Sequence, residues 1–97
     1  MEKFNLHEVL EYLEPTNTGG GCTAEVAQII RNNVKHDVVV TDLNGTDAPN
    51  DREGMIIGIY KGDAWINGEM AEEFFQYAPE NMKDGVAKLA ELLNCKI

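Results

Sequence analysis

Three stretches of this chain carry residue types that could do chemistry. The first, Thr16-Asn17-Thr18-Gly19-Gly20-Gly21-Cys22-Thr23-Ala24, sets three glycines against a thiol. Glycine-rich turns present backbone N–H groups to phosphates, and a cysteine beside a His or a helix N-terminus becomes a nucleophile. A Walker-type loop needs Gly-Lys-Ser/Thr after a strand, however, and here Cys22 stands in place of the lysine, behind a helical pattern. The dinucleotide fingerprint fails for the same lack of a preceding strand. For cysteine catalysis the partners would be His7 or His36, with Asp37 orienting the ring, and no spacing brings these groups to Cys22. The favoured reading is conformational: the glycines let the chain leave a helix and enter a sheet edge at unusual φ, with Cys22 a small buried thiol.

The second stretch runs from Asp42 to Glu53. Asp42, Asn44, Thr46, Asn50 and Glu53 occupy the oxygen-ligand positions of a twelve-residue calcium loop. Its obligatory glycine is replaced by Asp47, its flanks read as strands, and Pro49 stiffens its middle. A polar connector between strands is the favoured reading, and a weak surface cation site is the alternative.

The third is a set of carboxylates, Asp63, Glu69, Glu72, Glu73, Glu80, Asp84 and Glu91, offset nearby only by Lys83 and Lys88. On a helix beginning near Asn67, Glu69, Glu72 and Glu73 share one face, where like charges at i, i+4 repel by a few tenths of a kcal/mol. The rise from Glu69 to Glu73 is about 6 Å, close to two phosphate steps of roughly 3.4 Å along one DNA strand. Such a row would imitate a line of phosphates, with Trp65 as an aromatic anchor at its rim. An ordinary solvated helix face is the alternative.

The bulk properties constrain what these stretches can serve. The chain has 97 residues, enough for a single domain spanning 1–97. Seventeen acidic side chains against 8 basic ones give a formal net charge of -9. That field repels nucleic acid and anionic membrane and attracts the basic clefts of other proteins, so direct nucleic-acid or membrane binding is not expected. No apolar run approaches the roughly 20 residues of a membrane span, and the start MEKFNLHEVL lacks the pattern of a secretion signal, which implies a cytoplasmic protein. Cys22 and Cys95 show neither zinc spacing nor a disulfide framework and read as free thiols. No metal, cofactor or catalytic residue is expected, and the chain reads as a monomer.

The elements that must position these groups follow from periodicity and punctuation. Asn5 to Glu14 predicts a helix, with Leu6, Val9, Leu10 and Leu13 on one stripe, an Asn5/Glu8 capping box, a Phe4/Val9 staple and Pro15 as terminator. Thr23 to Arg31 and Val34 to Asp42 predict an antiparallel hairpin turned at Asn32-Asn33, with a helix over Cys22 to Arg31 as the alternative. Met55 to Tyr60 predicts a third strand, and a short strand or edge is expected around Ala64 to Ile66. Two helices follow: one from Asn67 with Met70, Phe74 and Tyr77 on its apolar face, and one after Pro79, capped by Asn81 and Asp84, with Met82, Val86, Leu89 and Leu93 inward. The class is α+β, with an N-terminal helix, a three- to four-stranded antiparallel sheet and two C-terminal helices over one face.

In size, α+β character and carboxylate-rich segments such as "EMAEEFF" and "APENMKDG", the chain resembles the small acidic inhibitors of phages and mobile elements, in particular DNA-mimicking anti-CRISPR proteins. The resemblance implies a non-enzymatic inhibitor acting in the host cytoplasm. Its partner would be a basic nucleic-acid-binding protein, such as a CRISPR effector subunit, whose DNA cleft it blocks. Glu69, Glu72, Glu73, Glu80, Asp84 and Asp63 are the contact candidates. The alternatives are a small enzyme or ligand-binding domain using Cys22 and the Gly19–Gly21 loop, or a weak cation-binding module.

Overall fold

A computed structural model describes residues 5–94. The capping box forms as written: Asn5 Oδ1 accepts from the Glu8 N–H at 2.9 Å, and the Asn5 N–H donates to Glu8 Oε1 at 3.0 Å. Helix α1 nevertheless covers only Leu6–Leu10. The next three residues tighten into i→i+3 bonds, Tyr12 N–H to the Val9 carbonyl and Leu13 N–H to that of Leu10, which keep Leu13 buried as the helix winds down. Pro15 then forces Glu14 into extended geometry, so Glu14 opens a strand rather than closing a helix. The expected staple residue Phe4 and the second thiol Cys95 lie outside the described residues.

Five strands follow, β1 (Glu14–Gly19), β2 (Cys22–Arg31), β3 (Val34–Thr41), β4 (Met55–Lys61) and β5 (Glu73–Tyr77), then a 3-10 turn at Pro79–Asn81 and helix α2 (Met82–Leu92). The α+β class stands, but the expected first C-terminal helix is the edge strand β5, and β1 adds a strand at the opposite edge. Phe74, Phe75, Gln76 and Tyr77 are placed by a period of two rather than 3.6, consistent with the preference of aromatic residues for pleated surfaces. Met70, which completed the apparent helical stripe, is 92% exposed. Residues 62–68 instead make successive turns followed by irregular chain to Glu72, and the short strand expected at Ala64 to Ile66 is part of those turns.

The hairpin of β2 and β3 forms in the expected register, Arg31 opposite Val34, with Asn32 and Asn33 at φ 52° and 66° as a two-residue turn requires. This removes the helical alternative for Cys22 to Arg31. The sheet is an antiparallel meander whose spatial order, β1-β2-β3-β4-β5, is its chain order. Pro15 is tolerated because β1 is an edge.

One face of the sheet is built of rows such as Glu25, Val40, Ile57 and Phe75, and Ala27, Val38, Ile59 and Glu73. Leu6, Val9 and Leu13 from the N-terminal segment, and Met82, Val86 and Leu89 from α2, pack onto it. Val9, Val38, Val40, Met55, Ile57, Ile59 and Leu89 are fully buried, and each such side chain contributes about 1.5–3 kcal/mol of transfer free energy. The inward stripe expected for α2 is the one observed, although Asn81 makes no side-chain cap. The two layers form a slab of 35 × 32 × 19 Å. Among the described residues no helix is long and apolar enough to cross a membrane.

Candidate functional site

The carboxylates expected to line one helix face are redistributed by the strand at β5. Glu69 and Asp63 stand exposed on the turns after β4, and Glu80 and Asp84 stand exposed beyond the other end of β5, at the start of α2. In the chain, Asp63 and Glu69 thus precede the edge strand β5, and Glu80 and Asp84 follow it. Glu72 and Glu73 belong to a different arrangement. His36 Nε2–H donates to Glu72 Oε1 at 2.8 Å, and His36 Nδ1 lies 2.9 Å from the Val34 carbonyl oxygen. The Arg31 guanidinium pairs with Glu73 through Nη2, while its Nη1 is buried with no hydrogen-bond partner. These two glutamates tie the β2–β3 hairpin end to β5, and the regular helical row of Glu69, Glu72 and Glu73 does not exist.

The glycines of the first stretch are a hairpin turn. Gly19, Gly20 and Gly21 have φ of 106°, 60° and 81° and join β1 to β2, with a register shift between Asn17 and Gly19. The chain thus passes from strand to strand there, not from helix to sheet edge as the helical pattern upstream implied. Cys22 is half-buried at the start of β2. His7 faces Glu11 at 3.9 Å on α1, and His36 is held as described, so no Cys–His pair forms among the described residues.

The Asp42 to Glu53 loop satisfies itself. Asp42, 1% exposed, accepts from the Asn44 and Thr46 N–H groups through Oδ1, and Asn50 Oδ1 accepts from the Arg52 and Glu53 N–H groups. These are Asx-type turns rather than a vacant coordination shell. Among the described residues no cluster of three or more His, Cys, Asp or Glu side chains is placed to hold a metal ion. Glu25, on the helix-covered face opposite Val40, has its carboxyl pushed above the usual range by burial.

The feature that sequence reasoning missed is the other face of the sheet, on which neither helix packs, although Ala24 and Asp37 on it are buried. Its central row runs Glu14, Val26, Val39, Gly58 and Phe74 across all five strands. The Tyr60 ring closes over Gly58, so near that a Cβ there would lie 2.8 Å from Tyr60 Cε1. Beside it, Asp37 pairs with Tyr60 across the strands and accepts from Trp65 Nε1 at 2.6 Å, which pins the indole to this side. Ile56 lies in the row above, and Ile30, 65% exposed, lies in the last row, while Phe74 is 54% exposed at the edge. A sheet packed on one side normally alternates apolar-in with polar-out. The signal was present in Val38-Val39-Val40 and in Ile56-Ile57, where both parities are apolar.

No family model, no curated protein and no solved structure matches this chain, so its site rests on its own geometry.

Proposed function

We propose that the protein is a non-catalytic, protein-binding inhibitor of the anti-CRISPR or anti-defence kind, which occupies a basic nucleic-acid-binding cleft of another protein and excludes DNA from it. The observation that carries this reading is a charge of -9 whose exposed carboxylates include Asp63 and Glu69, before β5 in the chain, and Glu80 and Asp84, after it. Long-range attraction from such a surface accelerates encounter with a basic cleft and is weakened by salt. Glu72 and Glu73 contribute to the field, and their engagement with His36 and Arg31 makes them poor probes of binding, because altering them also alters the fold.

The test is a quadruple charge reversal, Asp63→Lys, Glu69→Lys, Glu80→Lys and Asp84→Lys, at positions with exposed side chains. The native protein, immobilised, is expected to retain a DNA-binding complex from host lysate and to release it to salt or to competing duplex DNA. The variant is expected to remain folded, with a lowered melting temperature from the two positive charges at helix N-termini, and to retain nothing. Equal retention by both proteins would refute electrostatic mimicry at these positions.

A further inference from the structure

We infer that residues 63–71 form a flap that opens and closes over part of the helix-free sheet face, latched by one hydrogen bond from Trp65 to Asp37. This inference does not rest on the inhibitor reading.

Three observations support it. The first is where the segment is fastened. The Gly62 N–H donates to the Lys35 carbonyl at 2.8 Å, and the Glu72 N–H donates to the Ile59 carbonyl at 2.7 Å. Glu72 also accepts from His36, the residue after Lys35. Both ends of the segment are thus pinned beside the start of β3, as in a compact loop whose ends nearly meet.

The second is that the body between those pins bonds to itself. The N–H groups of Ile66, Asn67, Gly68 and Glu69 donate to carbonyls of Asp63, Ala64, Trp65 and Ala64, at 3.0, 3.1, 3.3 and 3.0 Å. Gly68, at φ 77°, closes this turn in the manner of a helix C-terminus. None of these bonds has to break for the segment to move as a unit. Among the described residues, its one side-chain hydrogen bond to the rest of the chain runs from Trp65 Nε1–H to Asp37 Oδ2, at 2.6 Å.

The third is burial. Ile66 and Met70 are 65% and 92% exposed, Asp63, Asn67 and Glu69 are exposed as well, and Ala64 is the one buried residue of the segment. Lifting it uncovers little apolar surface, which is the property of elements that open without global unfolding. What it does uncover is specific. Asp37 lies on the face that neither helix covers, yet it is buried, in one row with Gln28 and Tyr60. An open flap presents that carboxylate to solvent with an amide on one side and a phenol on the other.

Trp65 is the only tryptophan of the chain, so its indole reports the latch directly. The experiment is native-state hydrogen exchange by NMR, at urea concentrations below the unfolding transition, comparing the Trp65 indole N–H with the backbone amides of β3 and β4. The indole is expected to be protected at least about tenfold less than the slowest of those amides, and almost independently of urea, because little surface is exposed. Asp37→Ala removes the acceptor and should speed indole exchange about tenfold or more, with a matching rise in acrylamide quenching of its fluorescence. Asp37→Asn keeps the shape and a neutral acceptor, should fall between the native protein and Asp37→Ala, and takes its place if the alanine chain does not fold. An indole that exchanges in step with the slowest sheet amides, with the same urea dependence, would overturn the inference, because the segment would then open only with the whole chain. So would native exchange and quenching in both variants.

Discussion

Gly85 sits in α2 directly above β5, and the effect of adding one methyl group there can be worked from its surroundings. A Cβ at this position would lie 2.6 Å from Met55 Cε and 2.9 Å from both Cγ and Cδ2 of Tyr77. In an exposed helix, glycine to alanine gains about 1 kcal/mol of backbone entropy and propensity. Here the added atom meets a ring on the neighbouring strand and a methionine with no exposure, and overpacking of this kind costs about 1–3 kcal/mol. The Met55 methyl is a flexible end and gives way at small cost, but the Tyr77 ring is held between β5 and the helix. The clash therefore outweighs the propensity gain, and Gly85→Ala is expected to destabilise by about 1 kcal/mol, lowering the melting temperature by roughly 4–8 °C in a domain of this size. Ala87→Gly, on the exposed side of the same helix, provides the backbone reference and should cost about 1 kcal/mol alone. In a Tyr77→Leu background, Gly85→Ala should cost less than in the native chain, because the obstructing ring is gone. Calorimetric melting of the native protein and the four variants decides the matter. A rise in melting temperature for Gly85→Ala in the native background would refute the reasoning, since it would mean that α2 does not lie against β5 at this distance.

Two further expectations concern charged groups. Because burial raises the Glu25 carboxyl above its unfolded value, the folded chain holds the proton more tightly in the window between the two, and stability falls as pH rises through it. Glu25→Gln should accordingly raise the melting temperature at neutral pH and lose that advantage below the usual carboxylate range; a pH-independent difference would contradict the assignment. For the Arg31–Glu73 pair, both side chains are about one-third exposed, at 34% and 39%, so solvent limits the ion pair itself to about 1 kcal/mol or less. Glu73→Ala strands a guanidinium whose Nη1 already lacks a partner and should cost about 1–2 kcal/mol, whereas Arg31→Met removes the orphaned group together with the charge and should cost less. Urea titration of the two variants tests that order, and the reverse order would count against it.

Much of the architecture could be read locally. The capping box at Asn5, the Asn32-Asn33 turn and the stripe of Met82, Val86 and Leu89 each depend on residues near one another in sequence, and each is found where expected. What could not be read was decided by pairing at a distance. Phe74 and Tyr77 fit a helical spacing as well as a strand, and it is Gly58 and Met55, arriving from β4, that recruit them to the sheet. The candidate site changed for the same reason. Glu72 and Glu73 looked like members of an exposed row until His36 and Arg31, more than thirty residues earlier, met them. The helix-free face was visible only as runs of apolar residues such as Val38-Val39-Val40, a pattern that marks burial on both sides without saying what does the burying.

The order of the sheet also has a consequence for how the chain is made. Each strand lies beside the one synthesised just before it, so β1 to β5 can join in turn as the polypeptide emerges at about 5–20 residues per second, the connections before β4 and β5 being the longest to close. The helix-side layer cannot keep that pace. The five residues of α1 are too few to cover Val40, Ile57 and Ile59 alone, and the remaining cover, Met82, Val86 and Leu89, is translated last. A chain whose sheet forms before α2 docks therefore leaves part of its core face open.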